Sequence, residues 1–167
     1  MVMSIRIEPL TGEDWQQVCE IYKEGIATGN ATLEINVPEW EEWNVAHLKE
    51  CRFVAKEGNT LAGWAALTPV SGRCVYAGVA EVSVYIREQF RGYGIGKLLL
   101  EELVRSSEQR GIWTIQAGIL KENTASIELH KKCGFKVLGV REKLGKLNGL
   151  WRDVVLMERR STIAGIE

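Results

Sequence analysis

The feature that most constrains the fold is a strand, a glycine-rich loop and a helix that follow one another without a break. Residues 76–86 predict a long strand, in which Val82, Val84 and Ile86 alternate with Glu81, Ser83 and Tyr85 as in a half-buried strand. Residues 94–110 repeat leucine at helical spacing, and Gly111 is placed to end that helix. Between them stands the loop Arg91-Gly92-Tyr93-Gly94-Ile95-Gly96. With the next strand, residues 114–119, this order predicts a parallel crossover unit.

The loop has the chemistry of an anion-binding site. A helix N-terminus presents backbone N–H groups without intrahelical partners, and the helix dipole adds partial positive charge there. Gly92, Gly94 and Gly96 lack Cβ atoms, so the chain can turn tightly and a pyrophosphate can reach the backbone. Arg91 adds a positive charge. The alternative interpretation is a plain glycine-rich turn.

Two familiar nucleotide-binding motifs do not match the loop. A P-loop needs a lysine followed by serine or threonine, whereas Lys97 is followed by Leu98. A dinucleotide-binding fingerprint needs its third glycine three residues after the second, whereas Gly96 comes two residues after Gly94. The loop therefore indicates a different class of anion site.

The whole chain predicts a single α/β domain, with a largely antiparallel central sheet, one parallel crossover and flanking helices. We expect the domain to cover residues 1–160 and residues 161–167 to form a frayed C-terminal tail. The predicted strands are residues 4–9, 52–57, 61–68, 76–86, 114–119, 135–140 and 151–158. The predicted helices are one that starts at residue 11 and ends within residues 25–29, and those of residues 39–49, 94–110 and 123–133.

Composition excludes several classes of function. The chain has 167 residues and a formal net charge of −1, so neither a nucleic-acid partner nor a basic membrane anchor is expected. No apolar run is long enough to span a bilayer, and a cytoplasmic location is expected. The four cysteines form no C-x-x-C pair and no metal-ligand cluster is present, so we expect neither a disulfide framework nor a metal.

Longer motifs surround the loop. The string from Glu81 to Ile86, followed by Arg91 to Leu99, resembles motif A of the GNAT superfamily of N-acetyltransferases, whose signature is R/Q-x-x-G-x-G/A. Residues 123–135 (NTASIELHKKCGF) resemble the second signature of that superfamily. Within it the chain is most similar to the phosphinothricin and methionine sulfoximine acetyltransferase family, through residues 31–34, Gly72-Arg73 with Tyr76, residues 80–86, Ser126 with Leu129-His130, and Gly149 with Trp151-Arg152-Asp153.

The resemblance implies acetyl-CoA as co-substrate, a small amino-acid-like amine as acceptor, and a homodimer with an interface within residues 138–152. The backbone of Val84, Tyr85 and Ile86 would pair with the pantetheine arm, and a bulge in that strand would splay the sheet. The cofactor side would also contain Asn123, His130 and the pyrophosphate-binding residues Arg91, Gly92, Tyr93, Gly94, Ile95 and Gly96.

Glu81 occupies the family position of the general base. It stands mid-strand among valines, where partial burial suits a carboxylate to take a proton from an amine, directly or through water. The alternative is a strand carboxylate that faces solvent or pairs with a lysine.

Other candidates have open alternatives. His130 could donate a proton to the leaving thiolate, or it could be a helix-surface histidine, which we favour. Arg73, beside Tyr76, could bind a substrate carboxylate or be a solvated loop arginine. Glu34 lies in a loop that could cover the substrate. Trp40, Trp43 and Trp64 could line the acceptor pocket or belong to the core.

The sequence departs from the family at two places. A further basic residue usual just after the tyrosine matched by Tyr76 is replaced by Ala77 and Gly78, so recognition of a second acidic group needs another source. The tyrosine general acid frequent in the superfamily has no obvious counterpart. Three functions stay open: acetylation of a small amino-acid-like acceptor, acetylation of a protein N-terminus or lysine, and non-catalytic acyl-CoA sensing.

Overall fold

The computed structural model describes residues 3–167 as seven strands and four α-helices in the predicted order. Three short 3-10 turns add to them, at Gly12–Asp14, Cys74–Tyr76 and Glu88–Phe90. The strands are β1 (Arg6–Pro9), β2 (Arg52–Glu57), β3 (Thr60–Pro69), β4 (Val79–Ile86), β5 (Thr114–Leu120), β6 (Lys136–Leu147) and β7 (Leu150–Arg160), and the helices are α1 (Trp15–Ala27), α2 (Trp40–Ala46), α3 (Ile95–Gln109) and α4 (Thr124–Lys132).

The strands form one sheet in the order β1-β2-β3-β4-β5-β7-β6. Every neighbouring pair is antiparallel except β4 and β5, which are parallel and joined by α3. The predicted fold class, a largely antiparallel sheet with one parallel crossover, is confirmed.

Two cores lie on opposite faces of the sheet. Leu99, Leu100 and Leu103 of α3 are fully buried against the alternate residues of the central strands, including Val82. On the other face, α1 buries Val18 and Ile21 among tryptophan and tyrosine rings. Val82, Val84 and Ile86 face α3, as the alternation predicts, so Glu81, Ser83 and Tyr85 face the other side.

The sheet opens between its two parallel strands. Pairing of β4 with β5 covers Val79–Glu81 against Thr114–Gln116 and then stops, although both strands continue for four or five residues. The resemblance predicts a bulge in β4, but β4 has no bulge where it pairs with β3. The β3–β4 register runs unbroken from Gly63↔Ile86 to Pro69↔Ala80, so this prediction is wrong there. The two strands diverge without an inserted residue.

Several predicted boundaries are wrong. Strand β4 begins at Val79 and not at Tyr76, because Cys74–Tyr76 forms a 3-10 turn. Strand β6 runs on past Val140 to Leu147 through a register shift between Arg141 and Gly145. A bulge of this kind breaks the period-two pattern from which the strand was predicted.

The C-terminal segment is docked and not frayed. Ser161 is buried, its hydroxyl donates to Glu108 of α3, and it accepts a hydrogen bond from the N–H of Ala164. Arg160 donates to the carbonyls of Ala164 and Gly165. The local bonds satisfy backbone groups of the segment, and the Ser161–Glu108 bond fastens it to α3, so the predicted fraying is wrong.

The predicted turn between β6 and β7 is confirmed. Asn148 and Gly149 have φ angles of 51° and 80°, which a two-residue hairpin with both central residues left-handed requires. Within residues 3–167, none of the helices has the length and apolarity needed to cross a bilayer.

Candidate active site

The glycine-rich loop has the geometry of an anion cradle. Gly92 and Gly94 have φ angles of 85° and 79°, and Gly94 is the N-cap of α3. Leu98 makes the first helical hydrogen bond to the carbonyl of Gly94, so the N–H groups before it in the helix are unused by its ladder. Gly96 is buried, and a Cβ there would lie 3.0 Å from Leu129. Glycine at 96 thus lets α4 pack beside the loop.

Beside the loop, β4 exposes main-chain groups to the opened gap. Val79 C=O and Arg87 N–H bond to the β3 side, so the odd-numbered residues point that way. Strand main-chain groups alternate in direction, and Val84 and Ile86 therefore point their N–H and C=O groups toward β5. Since pairing with β5 has ended by then, the main-chain groups of Val84 and the N–H of Ile86 can pair with an extended ligand, whereas the Ile86 carbonyl accepts a 3.3 Å hydrogen bond from Arg91 Nε.

A cavity of about 280 Å³ lies where the two strands diverge. That volume is close to the lower end of small-molecule sites. Its wall brings together five of the predicted site residues: Glu81, Val84, Tyr85, Asn123 and His130. The other lining residues are Ala31, Thr32, Leu33, Val82, Ser83, Ala117, Gly118, Ile119, Leu120, Ser126, Arg141, Leu144, Val154 and Leu156.

Glu81 stands at the narrow end of the gap, on the last β4 residue paired with β5. It is half-buried, and Gln116 Nε2 donates a 3.2 Å hydrogen bond to its Oε1. No lysine or arginine within residues 3–167 forms an ion pair with it, so the predicted alternative of a lysine-paired surface carboxylate does not apply. A carboxylate held by one neutral donor keeps lone pairs for a proton.

Gly118 of β5 leaves open space beside that carboxylate. A Cβ at Gly118 would meet no atom closer than 3.4 Å, from Val154, and would lie 3.8 Å from Glu81 Oε1. Its φ is not positive, so neither backbone conformation nor packing requires glycine here. Glycine in a strand interior weakens the strand and often marks the close approach of a ligand.

His130 corrects a prediction. We favoured a helix-surface histidine, but the ring is buried and lines the cavity. Its Nδ1 lies 2.7 Å from Ser126 O, and Phe135 packs edge-on to the ring at 5.0 Å. Burial lowers the pKa of His130, against the opposing effect of the bond to Ser126, and favours the neutral imidazole. With Nδ1–H donating to the carbonyl, Nε2 is the acceptor nitrogen.

The cap of α4 is set by its first residue. Asn123 Oδ1 accepts a 3.2 Å hydrogen bond from Ser126 N–H, which fixes the N-terminus of the helix at the cavity. Gly134 follows the helix with a φ of 88°, as its predicted role at the helix C-terminus requires. Asn123, Ser126 and His130 are thereby presented on one helix face, at successive spacings of three and four residues.

The opposite wall is assembled from distant segments. The loop after α1 contributes Ala31, Thr32 and Leu33, and Leu33 reaches so close to Gly145 of β6 that a Cβ there would lie 2.7 Å from it. Arg152 of β7 donates to Gly29 O and to Asn30 Oδ1 and forms an ion pair with Glu122. Arg152 thus holds this loop against β7.

Three predicted substrate-binding residues lie outside the cavity wall. Arg73 and Tyr76 are exposed on the 3-10 turn before β4, with the guanidinium 5.7 Å from the tyrosine ring centroid. Glu34 is exposed one residue beyond the lining segment. Loop residues 69–78 gave a family pattern but no periodicity, so their position relative to the gap could not be read from the sequence.

The tryptophans do not line the cavity. Trp43 and Trp64 are fully buried and pack edge to face, with centroids 5.7 Å apart. Tyr85 stacks on Trp64 at 4.9 Å, and burial raises the pKa of its hydroxyl. This aromatic core supports the strand that carries Glu81, and the pocket role considered for the tryptophans is wrong.

Sequence reasoning missed Arg141, Leu144 and Gly118. Arg141 and Leu144 flank the β6 bulge, beyond the predicted end of that strand. For Gly118, the signal was present: an isolated glycine inside a strand pattern, which favours a bulge or close approach.

Neither metal nor thiol chemistry is suggested by the described part of the chain. Within residues 3–167 no three His, Cys, Asp or Glu side chains cluster as metal ligands would. The four cysteines are free, and burial raises the pKa of the Cys19, Cys51 and Cys133 thiols. A raised thiol pKa disfavours the nucleophilic thiolate.

Comparison with known proteins supports one family. The model of the acetyltransferase (GNAT) family matches residues 15–135. The phosphinothricin N-acetyltransferase of Alcaligenes faecalis is 33% identical over 154 residues, covering 88% of this chain and 78% of its own. The methionine sulfoximine/methionine sulfone acetyltransferase of Pseudomonas aeruginosa is 36% identical over 83 residues, 50% of this chain and 48% of its own.

Solved structures agree. The crystal structure of a GNAT superfamily phosphinothricin acetyltransferase from Sinorhizobium meliloti in complex with AcCoA superposes with a TM-score of 0.87. It is 28% identical, and the match covers 99% of this chain and 92% of that one.

Proposed function

This chain belongs to the GNAT acetyltransferase family, and on that premise we propose that it transfers the acetyl group of acetyl-CoA to the amino group of a small amino-acid-like acceptor, with Glu81 as general base. It is an acetyl-CoA-dependent N-acetyltransferase. The observation that carries the proposal is the small cavity at the β4–β5 gap, which has Glu81 at its narrow end and the anion cradle beside it.

The cofactor side consists of two parts in this proposal. The residues Arg91, Gly92, Tyr93, Gly94, Ile95 and Gly96 bind the pyrophosphate through main-chain N–H groups and the Arg91 guanidinium. The main chain of Val84 and Ile86 orients the pantetheine arm as an added strand, with Asn123 and His130 on its far side, while the main-chain groups of Tyr85 between them point toward β3 and do not pair with the arm. Bound there, acetyl-CoA supplies an activated acetyl carbon.

Glu81 takes the proton that the acceptor amine must lose, directly or through one water. A β4 main-chain N–H that faces the gap donates to the thioester oxygen as charge develops on it. The carbon–nitrogen bond forms, the carbon–sulfur bond breaks, and the thiolate leaves and takes up a proton. The acceptor carboxylate is assigned to Arg73 beside Tyr76, and Glu34 to the loop that covers the acceptor.

The acceptor class rests on two supports. Relatives that match most of this chain are named for phosphinothricin, and others are named for methionine sulfoximine and methionine sulfone. The cavity has room for a molecule of that size, whereas a peptide acceptor needs an open groove. Acetylation of protein N-termini is the second candidate, because a structure named ribosomal-protein-alanine N-acetyltransferase from Brucella melitensis superposes with a TM-score of 0.86 at 27% identity.

The test is thiol release from acetyl-CoA with a panel of amines. The panel contains methionine sulfone, methionine sulfoximine, phosphinothricin, unmodified methionine and an alanine-terminated peptide. Release with the free amino acids and not with the peptide is the expected result. Release with the peptide alone would transfer the assignment to protein acetylation, and no release despite tight acetyl-CoA binding would favour an acyl-CoA sensor.

We also propose a homodimer formed through β6 and β7, in the cytoplasm. Strand β6 is the sheet edge, and large apolar side chains are exposed along it and at the adjoining turn: Val137, Leu138, Val140, Leu144, Leu150 and Trp151. An exposed apolar edge of this kind favours burial against a second chain. Light scattering should give a mass near twice 18.7 kDa, and Leu138→Lys should reduce it, with the exposed Val45→Lys of α2 as the control.

A further inference from the structure

Arg141 is the one lysine or arginine among the described residues that line the cavity. Two charged residues on the neighbouring strand have other partners: Arg152 pairs with Glu122, and Asp153 Oδ1 accepts from Lys143 N–H at 2.9 Å. Within residues 3–167 no carboxylate forms an ion pair with the Arg141 guanidinium. Arg141 is exposed, so solvent also reaches its guanidinium, and its distinguishing feature is that it supplies the cationic side chain of the cavity wall. A guanidinium in that position suits an anionic or strongly polar oxygen ligand.

The sheet register places Arg141 on the same face as Glu81. Arg141 pairs with Val154 and Val154 with Leu120, while Glu81 pairs with Gln116. Directly paired residues point to the same face of a sheet, and Gln116 and Leu120 are an even number of residues apart on β5. The two charged side chains therefore project from one surface of the sheet.

The same register separates the two charges. Arg141 lies three strands across from Glu81, and its level on β5 is four residues further along. With about 4.8 Å between strands and about 3.3 Å between residues, their Cα atoms would be on the order of 20 Å apart in a flat sheet. Two long side chains cover part of that distance, and a small molecule can fill the rest. An α-carboxylate, two bonds from its amine, cannot reach Arg141 while the amine is at Glu81.

The bulge in β6 fixes where the Arg141 side chain leaves the strand. The register shifts between Arg141 and Gly145, and Lys143 in between has a φ of 48°. Its N–H is held by Asp153, so the bulge has a defined anchor. Bulges beside active sites commonly redirect a side chain.

We propose that Arg141 binds the oxygen atoms at the far end of the acceptor side chain, such as those of a phosphinate, sulfone or carboxylate. This rests on the proposed function, in which the acceptor amine lies at Glu81. Arg73 then serves the α-carboxylate, common to all amino acids, and Arg141 selects among them. Residues 31–33 and Leu144, which are apolar apart from the hydroxyl of Thr32, line the cavity between Glu81 and Arg141 and would enclose the acceptor side chain.

The experiment compares three acceptors that share an α-amino acid and differ at the far end: phosphinothricin, methionine sulfone and methionine. For Arg141→Gln we expect kcat/KM to fall at least tenfold with phosphinothricin, several-fold with the sulfone and less than twofold with methionine. Arg141→Lys should restore part of the phosphinothricin rate, because it keeps the charge and loses the two-pronged geometry. Arg105→Gln, an exposed α3 arginine paired with Glu102, is the matched control.

An equal fall with all three acceptors, or no fall with phosphinothricin, would overturn the assignment while leaving acetyl transfer intact. If the wild-type protein transfers acetyl to none of them, the proposed function fails separately. Calorimetric binding of phosphinothricin in the presence of coenzyme A then decides: binding by the wild type that Arg141→Gln weakens tenfold supports the site, and equal binding or none overturns it.

Discussion

The two ends of the proposed site, the anion cradle and the acceptor wall of the cavity, are built in different ways. The anion cradle is one continuous segment of six residues, in which two left-handed glycines lead into a helix. The acceptor wall takes its side chains from the loop after α1, from β5, from the β6 bulge and from β7, and Arg152 of β7 holds the loop after α1 and Glu122. The cradle, formed by one segment, suits a ligand that is the same in every reaction. The acceptor wall is assembled from distant segments, so a substitution in any of them can change which acceptor fits.

Glu81 lies at the junction of the two ends, and its removal should give the largest effect. For Glu81→Gln we expect kcat to fall about 100- to 10 000-fold, as loss of a general base does. The dissociation constants of acetyl-CoA and acceptor should change less than threefold. Steady-state assays measure kcat, and calorimetry measures the dissociation constants. Glu101→Gln, on the exposed face of α3, is the control. Unchanged kcat would remove Glu81 from the mechanism.

The cradle can be broken by one methyl group. Gly94→Ala places a Cβ on a residue at a φ of 79°, with a strain of about 1 kcal/mol, and disturbs the N-cap that presents the amides. We expect acetyl-CoA affinity to fall about tenfold with acceptor KM unchanged. Gly111→Ala, at a φ of 78° just after the other end of α3, should cost similar stability and leave affinity alone. Equal affinity in both variants would argue against the cradle.

The acceptor end can be tested in the same way at Gly118. In Gly118→Ala the added methyl lies about where a group approaching Glu81 must stand, 3.8 Å from its Oε1. We expect the acceptor KM to rise about five- to tenfold, with acetyl-CoA affinity unchanged. Gly139→Ala in β6, where no atom lies within 4 Å of the new Cβ, is the control. A fall in acetyl-CoA affinity instead would place Gly118 on the cofactor side.

The smallest effect concerns stability and pH. Burial lowers the pKa of His130 below the value of about 6.5 in an unfolded chain. As pH falls through 6.5, the unfolded chain binds a proton that the folded protein resists, so this histidine lowers stability in acid by at most about 1.4 kcal/mol per pH unit.

Between pH 7.5 and pH 5.5, the unfolding free energy of His130→Asn should therefore decrease less than that of the wild type. Urea titrations at a series of pH values measure this. His47→Asn should flatten it too, because burial also lowers the pKa of His47, which stacks on Trp43 away from the cavity. The two variants should differ in acetyl-CoA affinity, which we expect to change in His130→Asn alone. An unchanged pH slope in both would contradict the burial of these rings.

Much of the cofactor end could be predicted from the sequence. The alternation in β4 put Val82 and Glu81 on opposite faces, the leucine spacing gave α3, and the glycines gave the loop between them. Each of these signals involves neighbours within one or two helical turns, where backbone preference and burial act on the same few residues. One exception is Leu98, which the helical pattern placed on the apolar face and which is 44% exposed.

The acceptor end depended on the tertiary structure. Arg141 shares a surface with Glu81 because β7 lies between β5 and β6 and because Arg141 pairs with Val154, which in turn pairs with Leu120. His130 is buried because its side of α4 faces the cavity and packs against Phe135, whereas the next two residues, Lys131 and Lys132, are exposed. Sequence alternation determined which face a residue takes within its own strand, but the pairing of distant strands decided which side chains meet, since that pairing is fixed by the packing of the whole sheet.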